Sequence, residues 1–336
     1  MSSRIARQIQ MVSRPAGMPG HEHFRIVEVE LPAPGAGQVL VENRYMSVDP
    51  YMRGRMRAEG VYAAPYPLNA PLYGGAVGEV LESGDENLQP GDIVLNHGAW
   101  QDRLLTEASR VQRLEPFDPE RISLYLGALG MPGMTAYVGL NRFGEPKEGE
   151  TVFVSAASGA VGANVCQIAK MKGCRVVGSV GSDAKAEYLK EECGVDGAIN
   201  YRTCGDLTEA LRAAAPDGVD VYFENVGGEH LQAALNAMNP FGRIVACGMI
   251  STYNNAEPQP GPNNLMLIVG KKIRINGFIV FDHNDMREAF HKDMSAWIES
   301  GRIRTRETVV EGPENAVDAF LALFSGENFG KMVVKL

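Results

Sequence analysis

Cysteine is scarce in this chain and comes late. The five are Cys166, Cys174, Cys193, Cys204 and Cys247, with none before position 166. No two form a CxxC pair and no histidine stands at a ligand spacing from any of them, so neither a disulfide framework nor a zinc knuckle is expected. They read as reduced thiols used as small buried hydrophobes. Long apolar runs are missing too: nothing approaches the roughly 18 apolar residues of a membrane span. The opening MSSRIARQIQMVSRPAG has no apolar run of signal-peptide length, and a cytoplasmic location is expected. Positive charge is in deficit: 32 Lys and Arg against 41 Asp and Glu give a net charge of −9. That argues against a general affinity for nucleic acid or anionic membrane. The remaining composition, 45% hydrophobic and 22% charged, allows an ordinary buried core. With 336 residues, two domains are expected.

Texture changes near residue 130. Before it, FRIVEVELPAP, QVLVENRYMSV, AVGEVLES and GDIVLNHGAW are short β-rich segments parted by Pro and Gly, as in PAPGAGQ (32–38) and NLQPGD (87–92). They predict an antiparallel or partly barrelled β-domain. From about Gly130, strands and helices alternate. Strands are expected at 151–156, 175–180, 197–201, 219–225, 243–248 and 272–280. Helices are expected near 160–173, from Ser182-Asp183 to about Cys193 with Asp183 as N-cap, and near 206–214, 229–238 and 286–300. This is the α/β pattern of a doubly wound parallel sheet. The tail from Thr308 reads as one helix and a final strand, extending this sheet or returning to the first domain.

The strongest chemical signal follows the first strand of that series. Ala157-Ser158-Gly159-Ala160-Val161-Gly162 matches the dinucleotide fingerprint G-x-G-x-x-G with alanine at the first glycine. Gly159 lets backbone approach a pyrophosphate, Gly162 lets helix pack on strand, and the N–H groups from Val161 onward face the phosphates. A tight strand–helix turn without a ligand is the alternative. NAD-binding chains usually carry an acid at the end of the second strand. Here that strand ends Val180-Gly181-Ser182-Asp183-Ala184-Lys185. Asp183 is either that acid or a cap. Gly181 and Ser182 leave room and Lys185 reaches back, so a 2′-phosphate, hence NADP(H), is favoured over NAD. Otherwise Lys185 is a solvated helix charge. His21, His23 and His97 have no companion acid at metal-site spacing, and Asp49 and Glu79 read as structural.

Several segments together resemble one family. They are MSVDPYMRGRM (46–56), GMPGMTAYVGL (130–140), VSAASGAVGANVCQIAK (154–170), GSDAKAEYLK (181–190), INYR (199–202), FENVGG (223–228), CGMISTYN (247–254), NGFIV (276–280) and NFGKMVVK (328–335). The chain is similar to the zinc-free medium-chain dehydrogenase/reductases, in the branch of prostaglandin, alkenal double-bond and curcumin-type reductases. The resemblance implies a GroES-like β-domain (1–129 and 301–336) and a Rossmann NADP(H)-binding domain (130–300). Zinc-bearing relatives place Cys near position 49 and Gly-His-Glu near position 75, where this chain has Asp49 and Gly74-Gly75-Ala76.

By the same resemblance, Gly159, Val161 and Gly162 meet the pyrophosphate, and Ser182, Lys185 and Tyr201 the 2′-phosphate side. Asn225, Phe278, Val280 and Asn328 line the nicotinamide side. Tyr253 stands near the nicotinamide ribose and the substrate carbonyl. Tyr51 borders the substrate pocket, or else packs between domains. The implied activity is hydride transfer from NADPH to the carbon–carbon double bond of an enone or enal, with Tyr253 and the cofactor ribose stabilising the enolate. A homodimer is the family expectation. Two other readings share the cofactor site: an NADPH quinone oxidoreductase, and a non-catalytic NADPH-binding protein.

Overall fold

Alternating apolar and polar residues lay down the first half of the chain. The computed structural model describes residues 4–60, 63–116 and 118–336. The chain opens with β1 (Ile5–Met11), β2 (Phe24–Glu30) and β3 (Gln38–Ser47), and a short helix α1 (Met52–Arg55) follows. β4 (Ala70–Pro71), β5 (Ala76–Ser83), β6 (Ile93–Asn96), β7 (Arg103–Glu107) and β8 (Gln112–Arg113) complete this part. β1, β2 and β4 form a small sheet in the order β2-β1-β4. β3 is the hub of the larger sheet. Its residues 38–42 pair with β7, residues 45–47 pair with the C-terminal strand, and its other edge takes β5. Register shifts at Leu40/Val41 and Asn43/Tyr45 bend the strand and let one run of residues serve three partners. β1 and β7 carry no distinctive turn chemistry and escape the sequence reading.

Beyond Gly130 the architecture changes as expected. Helix α2 (Met131–Val138) leads into β9 (Thr151–Val154), α3 (Gly162–Met171), β10 (Arg175–Val180) and α4 (Asp183–Glu191). Then come β11 (Gly197–Asn200), α5 (Leu207–Ala214), β12 (Val219–Glu224), α6 (Gly228–Ala237), β13 (Met238–Ala246), α7 (Met266–Lys271), β14 (Arg274–Gly277) and α8 (Arg287–Glu299). The strands lie parallel in the order β11-β10-β9-β12-β13-β14. That is the doubly wound Rossmann order, with its switch point between β9 and β12. β9 is buried along its length, as befits a strand covered on both faces, and Phe153 stacks on Tyr222 at 4.9 Å between ring centroids.

Some expectations change. α4 is capped by Ser182 and not by Asp183. Ser182 is extended and its Oγ accepts from Lys185 N at 3.3 Å, while the Asp183 carboxylate accepts from Asn200 Nδ2 at 2.7 Å. The segment 272–280 is strand only over Arg274–Gly277, so Phe278 and Val280 lie past its end. The tail contains α9 (Ala316–Ser325) with a strand on each side, β15 (Glu307–Glu311) and β16 (Lys331–Lys335), where one strand was expected. β15 and β16 are parallel and β16 adds antiparallel to β3, so the tail returns to the first sheet. Of the cysteines, Cys166, Cys174 and Cys193 are buried, whereas Cys204 and Cys247 are only partly so. No helix among the described residues is long and apolar enough to cross a membrane.

Candidate functional site

The fingerprint turn leaves β9 at Val154 and enters α3 at Gly162. A β-carbon on Gly162 would stand 2.5 Å from Ala156 O and 2.7 Å from Ala157 Cα, so the helix start packs on the turn only because that position is glycine. Ala157, at the first-glycine position, is fully buried. It fits because its neighbour on β10 is Gly178, where a β-carbon would meet Ala157 Cβ at 2.7 Å. Gly159 has open space outside the turn, with Ala156 O at 3.2 Å the one near atom. The turn is pinned from the C-terminal tail: Gly330 N donates to Ser158 O at 2.8 Å, and Asn328 Nδ2 donates to Gly330 O at 2.9 Å. A half-buried glycine-bearing turn at a helix start, at the switch point of a parallel sheet, fits a dinucleotide pyrophosphate.

At the ends of β10 and β11 polar side chains gather beside Gly181. The Tyr201 hydroxyl and Arg202 Nε stand 2.9 and 3.3 Å from where a β-carbon on Gly181 would be. The Lys185 amine is buried and donates to Gly326 O at 2.8 Å, and Arg202 Nη2 donates to Ser325 O at 2.9 Å. Burial, then the neighbouring Arg202, lowers the Lys185 pKa. An arginine and a phenol beside one glycine, with the Lys185 amine near enough to feel the charge of Arg202, suit a 2′-phosphate. Arg202 was missed by the sequence reading, although it directly follows Tyr201 in INYR.

At the carboxyl ends of β9, β12 and β13 a buried acid organises the next cluster. Glu224 Oε1 accepts from Tyr222 Oη at 2.7 Å, Val226 N at 2.7 Å, Gly227 N at 2.8 Å and Ser155 Oγ at 3.2 Å. Its Oε2 has no partner among the described residues. Burial raises the Glu224 pKa against the pull of those donors. The network orients Asn225, whose Nδ2 donates to Ser155 O at 2.7 Å and whose N donates to Ser155 Oγ at 2.9 Å. An acid at the carboxyl end of the strand VDVYFE, after the apolar run Val221–Phe223, was the available signal for Glu224. Phe278 packs on Phe143 with centroids 5.2 Å apart.

Tyr253 ends a single 3-10 turn, Ile250–Thr252, beyond β13. Its hydroxyl accepts from Met249 N at 3.4 Å and lies 2.9 Å from where a β-carbon on Gly248 would stand. From the other unit, Arg57 Nη2 donates to the carbonyls of Tyr253 at 3.1 Å and Asn255 at 3.0 Å. Arg53 Nε donates to Asn254 Oδ1 at 3.0 Å. Arg53 is fully buried, and burial, then Arg57, lowers its pKa to about 10.

A cleft of about 650 Å³ opens between the two units. Tyr51, Tyr73 and Leu104 line it from the first, and Met131, Val280 and Phe290 from the second. Such a wall suits a mostly apolar small molecule. Of the expected residues the cleft brings Tyr51 and Val280 together; Tyr253 and Asn225 stand outside its lining. Burial, then Arg287, pulls the His291 imidazole in this wall below its ordinary value. Val61 and Tyr62, in the connection between α1 and β4, lie outside the described residues.

Asp49 does not offer itself to a metal. Lys331 Nζ stands 3.2 Å from its Oδ1 and also donates to Val48 O at 2.8 Å, while the Ser47 hydroxyl donates to Oδ2. Glu79 pairs with Arg44 at 3.0 Å. Among the described residues no three His, Cys, Asp or Glu side chains gather as a metal site would need.

The chain is similar to known oxidoreductases along nearly its whole length. Residues 7–114 match the family model described as the N-terminal domain of oxidoreductase, and residues 160–296 match the one described as zinc-binding dehydrogenase. The donor set just described does not fit the zinc of that second description. The chain is 44% identical over 333 residues to a 2-alkenal reductase (NADP(+)-dependent) of Nicotiana tabacum, covering 98% of this chain and 96% of the relative. It is 42% identical over 335 residues to the NADPH-dependent curcumin reductase of Escherichia coli (strain K12), covering 98% and 96%. Among solved structures, CurA from Vibrio vulnificus in complex with NADPH superposes with a TM-score of 0.93 at 40% identity, covering 98% of both chains.

Proposed function

From the premise that this chain belongs to the zinc-free medium-chain dehydrogenase/reductases, in their NADP-dependent reductase branch, we propose that it reduces the carbon–carbon double bond of α,β-unsaturated ketones and aldehydes. The observation that carries this reading is the apolar cleft between a β-rich unit and a Rossmann sheet, with Tyr51 and Val280 in its wall. The names of the two relatives, a curcumin reductase and a 2-alkenal reductase, support the substrate class. The proposal divides the chain into residues 1–129 with 301–336 for the GroES-like unit and 130–300 for the Rossmann unit. It also takes the working protein to be a homodimer.

In this proposal Gly159, Val161 and Gly162 hold the pyrophosphate of NADP(H), and Ser182, Lys185, Tyr201 and Arg202 hold the 2′-phosphate. Asn225, Phe278, Val280 and Asn328 border the nicotinamide. Bound NADPH supplies the hydride that the substrate β-carbon takes up. Negative charge then gathers on the substrate carbonyl oxygen, and the Tyr253 hydroxyl donates to it. The substrate α-carbon takes its proton from water. Tyr51 and the apolar part of the wall orient the substrate.

Steady-state kinetics with NADPH and a panel of enals, enones and quinones test the activity. Turnover confined to quinones, or no oxidation of NADPH with any of them, overturns it. Tyr253→Phe tests the donor. Loss of one oxyanion donor costs about 2.7–4 kcal/mol where it acts alone. With the cofactor ribose hydroxyl as a second donor, about 1–2.5 kcal/mol is expected, a fall of about 5- to 70-fold in kcat with an enone. NADPH affinity should change little. Wild-type turnover by Tyr253→Phe removes the tyrosine from the mechanism.

A further inference from the structure

We infer that Arg57, with Arg53 beside it, is a positioning residue for Tyr253 and ties placement of the enolate donor to the seating of the β-rich unit on the Rossmann unit. This rests on the reading of Tyr253 just proposed. The tyrosine lies in a connection between β13 and α7 whose one regular element is a single 3-10 turn, and most of residues 256–263 are exposed. Such a segment has little packing of its own to hold a hydroxyl in place. Its own unit holds the turn before it, through Ile250 N to Asn225 O and Ser251 N to Val226 O, both at 3.1 Å, and through the Ser251 hydroxyl to Val226 O; residues 253–255 are gripped from the other unit as well. One nitrogen of the Arg57 guanidinium donates to the carbonyls of both Tyr253 and Asn255, and Arg53 Nε takes the side chain of Asn254 between them. Three successive residues are thus bonded by two arginines some 200 positions earlier.

The grip is itself anchored. Arg53 Nη2 donates to Pro15 O at 3.2 Å and Gly17 O at 2.7 Å. Arg14 Nη1 donates to Met56 O at 3.1 Å and Arg57 O at 2.9 Å, and its Nη2 to Tyr66 O at 2.8 Å. The arginine-bearing segment is therefore fixed to its own unit, and charged donors on neutral carbonyls make stronger bonds than neutral pairs do. A shift of that segment carries the Tyr253 backbone with it. Arg57 touches neither substrate nor cofactor in this scheme; it acts through the tyrosine.

A double-mutant cycle between Arg57→Ala and Tyr253→Phe tests this, with kcat for an enone as readout and NADPH affinity and thermal midpoint as controls. Arg57→Ala alone should lower kcat on the order of tenfold, and by no more than Tyr253→Phe does, with NADPH affinity unchanged. In the Tyr253→Phe background the same change should cost about twofold or less. Arg57→Lys keeps the charge without the planar fork and should fall between; it replaces Arg57→Ala in the cycle if that variant does not fold. An equal loss in both backgrounds, or no loss in either while Tyr253→Phe is impaired, overturns the positioning role and leaves the Tyr253 reading standing. Full activity of Tyr253→Phe overturns both.

Discussion

Lys185 shows how a residue's chemistry depends on what already holds it. From its position one turn into α4 it looks like a free cation reaching for a phosphate. In the fold its amine is buried and bonded to Gly326 O, and the cation beside Gly181 is Arg202, exposed next to the Tyr201 hydroxyl. A 2′-phosphate entering there would draw on both. A hydrogen bond to a charged partner contributes about 1.5–3 kcal/mol, or about 10- to 150-fold. Lys185→Ala and Arg202→Ala should each lower the ratio of kcat/KM with NADPH to that with NADH by an amount in this range. Tyr201→Phe should do so more weakly. Unchanged ratios in both cation variants would make them surface charges with no part in cofactor choice.

At the scale of single elements, α6 carries a built-in pH dependence. His230 is buried on it, its ring edge-on to Tyr201 with centroids 5.0 Å apart, and its Nε2 lacks a partner among the described residues. Burial lowers its pKa from 6.5 to about 4. The unfolded chain therefore binds this proton first as pH falls. The native state has its full advantage above pH 6.5 and loses it progressively down to about pH 4, by about 3 kcal/mol at most. His230→Phe keeps a ring against Tyr201 and has nothing to protonate. Thermal midpoints measured from pH 7 to pH 4.5 should fall less steeply in this variant than in the wild type. Parallel curves would mean that the imidazole finds a proton acceptor in the folded state.

For the whole molecule, the exposed edge is β14, the last strand of the parallel sheet. Around it Met266 and Val269 of α7 are 78% and 73% exposed, and Leu265 and Ile275 are also exposed. An unpaired edge beside an apolar helix is a template for another strand. A second copy of this chain is the occupant consistent with the proposed homodimer, since a two-fold interface uses the same patch on both partners. Light scattering coupled to size exclusion should give twice the 36.4 kDa chain mass. Val269→Glu combined with Met266→Glu should shift the protein toward monomer at micromolar concentration. A monomeric wild type, or a dimer indifferent to both charges, excludes this edge as the contact.

The alternating strands and helices from β9 to β14, the turn from Ala157 to Gly162 and the room at Gly181 were legible in the amino-acid order, because each is a local matter. Periodicity, a glycine where backbone crowds backbone and a small residue at a strand end act over a few positions. Several site partners and some strands, β1, β7 and β15 among them, were not legible. The capping of α4 passed from Asp183 to Ser182 because Asn200, in the next β-unit, takes the Asp183 carboxylate. β15 exists as a strand because β16, itself paired to β3, lies alongside it. Arg57 meets the Tyr253 loop 196 positions away, and Lys185 meets Gly326 across 141. Bonds over such separations form only after both units have folded and docked, so no local pattern encodes them. The chain order thus specified the sheet and the glycine-bearing turn after β9, while packing of one unit on the other chose which side chains surround the cleft and bond the Tyr253 backbone.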